Sequence, residues 1–407
     1  SKSKNGDVGG QIFYFDEEMQ QMDESYIRQI LGTKNPYTGM TLGEDPAVAF
    51  IDFKNENTFL GAKRENFTLY DSDIRKLYCD WLKTKYGTDE NLRKAWTYFD
   101  KQGLGDGESM FDNSVVFGYY GELNRYVRPR YEDNLQFMAD VTTEFWNKNK
   151  KLVDELGFKG IATTCTLWGA DFTPLLYTLT DSQAIDVHVY WSHPGENRSM
   201  QTGTAIGWNK PISMLEDANF GYFSDLFNAV VYDMPYTITE WDECDLNPTM
   251  SEGYTFMAAY TSLHNWVPMN FAYGGQPDEV TGILTSEGPR QNMYDNFYRA
   301  DPNSIRNYWT LKNNPVKMGC ITAASIMRLR GDVKEADSGF YNRYSQNDYF
   351  NPTEGSLSKD PYIGMVGKSG VAYDKKTYDE SINNDDILYK AYMSKKLGVP
   401  CVSDTGE

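Results

Sequence analysis

The 407-residue chain has only three histidines, and no carboxylate stands at metal-ligand spacing from them. His188 and His193 therefore read as hydrogen-bonded imidazoles, and neither metal nor cofactor is expected. Five cysteines, Cys79, Cys165, Cys244, Cys320 and Cys401, are scattered without a C-x-x-C pair. That excludes zinc-site spacing, and the odd count leaves at least one thiol unpaired. No apolar run reaches the roughly 18 residues of a membrane span, and no signal-peptide core opens the chain. A G-x-S-x-G elbow is missing, which removes the support for an esterase or peptidase. Basic residues are scarce, 39 Lys and Arg against 58 Asp and Glu, for a formal charge of −19. Nucleic acid and anionic membranes would be repelled, whereas a neutral sugar would not.

Aromatic residues are plentiful at 15%, with 30 Tyr and 9 Trp, and a flat ring with a polar edge suits the face of a pyranose. Pro46-Ala47-Val48-Ala49-Phe50-Ile51-Asp52-Phe53-Lys54-Asn55-Glu56 begins with a proline and an apolar run and closes on a glutamate. Such a run predicts a strand buried on both faces, as in a parallel sheet. Met234-Pro235-Tyr236-Thr237-Ile238-Thr239-Glu240-Trp241 has the same form. Alone, either glutamate reads sooner as a strand cap or as the partner of a basic side chain, since strand ends are commonly polar. Together, two carboxylates at the ends of parallel strands match glycoside hydrolysis, in which one protonates the leaving oxygen and the other attacks or activates water. Asp242 and Glu243 are rival nucleophiles on the same loop, ranked lower because they lie beyond the strand. Asp52 reads as a polar barrel-interior residue or as a partner of Lys54.

Asn55-Glu56, His188-Val189-Tyr190 and Thr239-Glu240-Trp241, in that order and each ending a strand-like run, resemble the clan A glycoside hydrolases. These are retaining enzymes on a (β/α)8 barrel, with cellulase-like, mannanase-like and β-galactosidase-like families. The resemblance covers about residues 10 to 335. It implies that Glu56 is the acid/base at the end of the fourth strand, Asn55 the ligand of the sugar 2-hydroxyl, and Glu240 the nucleophile of the seventh. His188 and Tyr190 correspond to the sixth-strand pair lining the site, the tyrosine touching the nucleophile. Tyr273 matches an aromatic that the clan often places on the eighth strand.

Trp168, Trp191 and Trp241 follow strands and are candidate sugar platforms, whereas Trp266 sits at an apolar helix end and reads as core. Helices are expected from Asp16 to Leu31, along a face marked by Tyr70, Ile74, Leu77, Trp81 and Leu82 with Asp71 or Ser72 as cap, and from Thr88 to Trp96. Further helices are expected over Tyr131 to Leu156, Tyr222 to Val231, Glu252 to Trp266 and Val316 to Leu329. Strands are expected at Lys159–Cys165, Asp181–Tyr190 and Val267–Tyr273.

The fold class is thus α/β, a (β/α)8 TIM barrel over residues 1–335 with an insertion at 61–130 after strand four. Residues 336–407 read as a small, irregular or β-rich appendage. Only one helix precedes the strand that resembles strand four, so the barrel is expected to be incomplete at its N-terminus, and another polypeptide segment could complete it. The expected substrate is a poly- or oligosaccharide, and a secreted or periplasmic home fits such an enzyme. The alternative is a catalytically silent carbohydrate-binding or scaffold protein on the same barrel.

Overall fold

The computed structural model describes residues 10–62, 64, 67–163, 167–168, 173–191, 194–195, 207–208, 213–214, 226–227, 229–244, 247–271, 314–345, 348, 361–375, 378–398 and 402–406. They fall into two compact units.

The first unit takes in Ser1–Leu167, Phe172–Ile185 and Tyr344–Ser356. Helix α1, Glu17–Gly32, starts where Asp16 accepts the Met19 N–H at 3.0 Å, a cap reinforced by Glu17 and Glu18 in the first turn. Strand β1 is Phe50–Asp52 and runs parallel to β2, Ile161–Thr163, with Phe50 opposite Ile161 and Asp52 opposite Thr163. The strand expected from Pro46 onward is therefore shorter and only half-buried. Ahead of it, Asp45 folds Ala47 and Val48 into a turn by accepting both their N–H groups. Helix α2 is Asp71–Tyr86, α3 Asp89–Ala95, α4 Arg128–Glu155 and α5 Thr173–Leu179.

Thr88 caps α3 as expected, but neither Asp71 nor Ser72 caps α2; Asp71 lies inside the helix and pairs with Arg64 and Arg75. α4 begins three residues early because Pro129 suits a first turn that has no N–H partners to lose. Gly157 follows it at φ +92°. Leu31, Trp146, Val153, Phe158 and Ala162 form one core cluster of this unit, with Ile51 and Phe53 packed on it. An aromatic cluster of Phe59, Phe67, Tyr78, Phe117 and Phe137 forms another.

The second unit takes in Trp168–Asp171, Asp186–Arg343 and Leu357–Glu407. Its sheet contains β3 (Leu167–Trp168), β4 (Ile185–Trp191), β5 (Tyr236–Glu243) and β6 (Val267–Asn270) in the order β6-β5-β4-β3. β5 and β6 are parallel. β4 and β5 are largely buried, as a sheet covered on both faces requires. Helix α6, Glu252–Leu263, precedes β6, and α7, Pro315–Arg330, is capped by Asn314 accepting from the Lys317 N–H at 3.1 Å. The helix expected over Tyr222 to Val231 lies mostly outside the described residues.

The C-terminal part is mixed rather than β-rich. β7 (Gly339–Tyr344) pairs with β8 (Lys368–Tyr373), and two helices accompany them, α8 (Pro361–Val366) and α9 (Asp385–Leu397). Ile363, Val366, Ile387 and Ala391 make their shared core.

Candidate active site

β5 begins after Pro235, whose missing N–H does no harm just outside a strand. It continues to Glu243, so Glu240 lies within the strand's last half rather than closing it. Pairing with β6 is irregular: Pro268 faces Ile238 and Asn270 faces Trp241, so two steps along β6 match three along β5. The additional residue falls at Thr239-Glu240, which makes a β-bulge, a device that re-aims side chains. In an unbroken strand Thr239 and Glu240 would point to opposite faces. Here both reach one imidazole from β4. His188 Nε2 lies 3.0 Å from Thr239 Oγ1, and Nδ1 lies 3.5 Å from Glu240 Oε2.

The Tyr190 hydroxyl, also from β4, donates to Glu240 Oε2 at 2.5 Å. A hydrogen bond to an ionised group is among the stronger ones, and it fixes the carboxylate's orientation. His188 is 3% exposed, whereas the Glu240 side chain keeps 20%. Behind them, buried Asp186 accepts from Thr237 Oγ1 at 2.6 Å, from the Thr239 N–H at 3.1 Å and from Thr239 Oγ1 at 2.6 Å. The structure thus brings together Glu240, His188 and Tyr190 of the expected residues and adds Asp186, Thr237 and Thr239.

The rival carboxylates serve other ends. Asp242 is fully buried and held at 3.0 Å on each oxygen by the equally buried Lys317 ammonium of α7. Glu243 is 1% exposed and accepts from the Gly253 N–H and the Thr249 hydroxyl at the start of α6. Burial, and after it the charge of Glu252, push the Glu243 carboxyl up to about 8. Neither is open to a substrate.

Two proposed platforms are also closed. Trp191 and Trp241 are each 4% exposed, packed into the sheet's surroundings instead of presenting a ring face; Trp266 is core at 3%. Trp168 lies on β3, where only its strand placement is described, and Tyr273 lies outside the described residues.

Asn55 and Glu56 belong to the first unit, in an exposed turn just past β1. Asp52 shapes that turn by accepting the Lys54 N–H at 3.2 Å, while the Lys54 ammonium pairs with Asp23 at 2.7 Å. Asp52 thus meets the backbone of Lys54. Because the strand stops at Asp52, alternation does not carry on to Glu56, which sits at φ +49° in the left-handed region. Few residues with a side chain adopt that conformation.

No family model matches this sequence, and no curated protein is significantly similar to it. Solved structures are similar in fold. A cold-adapted β-galactosidase from Rahnella sp. R3 aligns with a TM-score of 0.50 at 11% identity, over 89% of this chain and 49% of that one. A β-galactosidase from the psychrophilic Marinomonas ef1 gives 0.48 at 12%, over 94% and 58%. The agarase AgWH50C gives 0.45 at 14%, over 78% and 40%. This chain therefore spans between 40% and 58% of the length of these three proteins. At 11% identity the likeness to the Rahnella protein concerns fold alone, and the chain's own elements are of mixed α/β type.

Proposed function

We propose that the protein is a retaining glycoside hydrolase that cleaves β-glycosidic bonds in a poly- or oligosaccharide. Its scaffold would be a (β/α)8 barrel in which β1, β2, β4, β5 and β6 are the fourth to eighth strands. The observation that carries this reading is Glu240: a partly exposed carboxylate on a parallel strand, turned by a bulge and oriented by the Tyr190 hydroxyl, with the His188 ring 3.5 Å away. Two neighbouring carboxylates that could compete for the role are buried.

In the first half of the reaction, a Glu240 oxygen bonds to the anomeric carbon as the bond to the leaving oxygen breaks, and Glu56 gives that oxygen a proton. In the second half, Glu56 takes a proton from water, whose oxygen displaces Glu240 and frees the sugar with its configuration retained. This chemistry calls for carboxyls about 5 Å apart. Asn55 is assigned the sugar 2-hydroxyl, and Trp168 and Tyr273 remain the candidate ring platforms.

The test is hydrolysis of a panel of aryl glycosides and polysaccharides, an aryl β-galactoside first. Glu240→Ala should abolish turnover of whichever substrate the parent cleaves, and an unchanged rate would reject the nucleophile. A parent that binds oligosaccharides without cleaving any member of the panel would favour the silent binding protein.

A further inference from the structure

Asp186 lies fully buried behind the carboxylate, and its hydrogen bonds with Thr239 determine which His188 nitrogen carries the proton. Three donors converge on the two Asp186 oxygens: the Thr237 hydroxyl and the Thr239 N–H on Oδ1, and the Thr239 hydroxyl on Oδ2. That set stabilises the ionised carboxylate, which can only accept. The Thr239 hydroxyl has a single proton, and at 2.6 Å it is committed to Asp186. What Thr239 Oγ1 offers His188 Nε2, 3.0 Å away, is a lone pair. Nε2 must then be the donor.

We infer that Asp186, acting through Thr239, is a positioning device that fixes His188 as its Nε2–H tautomer, so that the neutral ring turns the lone pair of Nδ1, not an N–H, toward Glu240. The bulge is what permits this, since consecutive residues Thr239 and Glu240 reach opposite nitrogens of the same ring. With Nε2–H donating to Thr239 Oγ1, a flipped ring would leave that N–H without its acceptor in an almost fully buried side chain, a costly outcome. Nδ1 lies 3.5 Å from Glu240 Oε2, and the hydrogen bond to that oxygen comes from Tyr190. The arrangement follows a general pattern: the hydrogen bond at one imidazole nitrogen decides what the other can do.

The consequence for turnover rests on the proposed glycosidase reading, but the tautomer does not, so the two can fail separately. The full chain labelled with ¹⁵N-histidine has three rings to observe, and the signal lost in His188→Gln identifies His188. The expected result is an Nε2 that bears a proton across the whole pH range in which the fold persists. In Thr239→Val, where the acceptor is gone, that signal should shift to a mixture of both tautomers, and Thr239→Ser should restore the single form. An unprotonated Nε2 in the parent would overturn the inference, as would an unchanged tautomer in Thr239→Val. If the parent hydrolyses an aryl glycoside, Thr239→Val should also lower kcat by about tenfold with little change in KM, as loss of a group that orients another does. Rescue of kcat by serine separates orientation from mere packing. Should the parent show the Nε2–H tautomer and no hydrolysis, the function proposal fails and the tautomer assignment stands.

Discussion

At the scale of single residues, two glutamates carry conformational or electrostatic cost. Glu56 occupies the left-handed region at φ +49°, where a side chain costs about 1 kcal/mol relative to glycine. Strain of this kind gathers at functional positions. Glu56→Gly should therefore raise the melting temperature slightly while removing turnover, and a lower melting temperature would show that the side chain is structural. Glu243 shows the opposite balance. Burial first, then Glu252, lifts its carboxyl from 4.5 to about 8, so the folded protein keeps a proton that the unfolded chain has lost. Its contribution to stability is greatest below about pH 4.5 and declines as pH rises toward 8, by on the order of a few kcal/mol. Glu243→Gln should flatten that decline and melt higher than the parent at pH 8, with little difference at pH 5. Parallel melting curves for both proteins at both pH values would refute the assignment.

At the scale of elements, a fully buried ion pair, Asp242 with Lys317, links β5 to α7. Removing one partner strands a charge without water. Lys317→Met alone should lose about 3–5 kcal/mol by denaturant unfolding, and adding Asp242→Leu should recover most of it. A single variant as stable as the parent would mean that the pair is not formed. Helix starts were the most legible elements, because Asp16, Thr88 and Asn314 each place a capping oxygen ahead of a helical pattern. Strand lengths were less so. The apolar run from Pro46 says nothing of the turn that Asp45 imposes, and four apolar residues at Ile363 to Val366 are too few to show whether their period is 2 or 3.6.

The site was legible only in part, and the missing part has a signal. Asp186, His188 and Tyr190 alternate along β4, a period that aligns three polar side chains on one face of a strand. Thr237 and Thr239 alternate likewise. The bulge left no mark in the sequence, because it arises from the register between β5 and β6. Burial of Trp191 and Trp241 was equally hidden: a tryptophan after a strand looks the same whether it meets solvent or a neighbouring helix.

For the molecule as a whole, the charge of −19 bears on the nature of the ligand. Recognition of a neutral sugar rests on short-range contacts, which salt does not screen, whereas a charged ligand would feel the field of the whole surface. The KM for an uncharged substrate should change by less than about twofold between roughly 0.05 and 0.5 M salt. A steep dependence would point to an ionic partner.

The irregular pairing at Thr239-Glu240 also has a meaning for how the gene can change. Most strands absorb substitutions at one position without disturbing the next. Here a loss of a single codon would restore even spacing, swing the acid away from its tyrosine and carry a neighbour into its place. Reading frame would survive such an event, and so would much of the sheet; the carboxylate proposed as nucleophile would leave its place. Variation in this stretch should therefore proceed by exchange of residues and not by change of length.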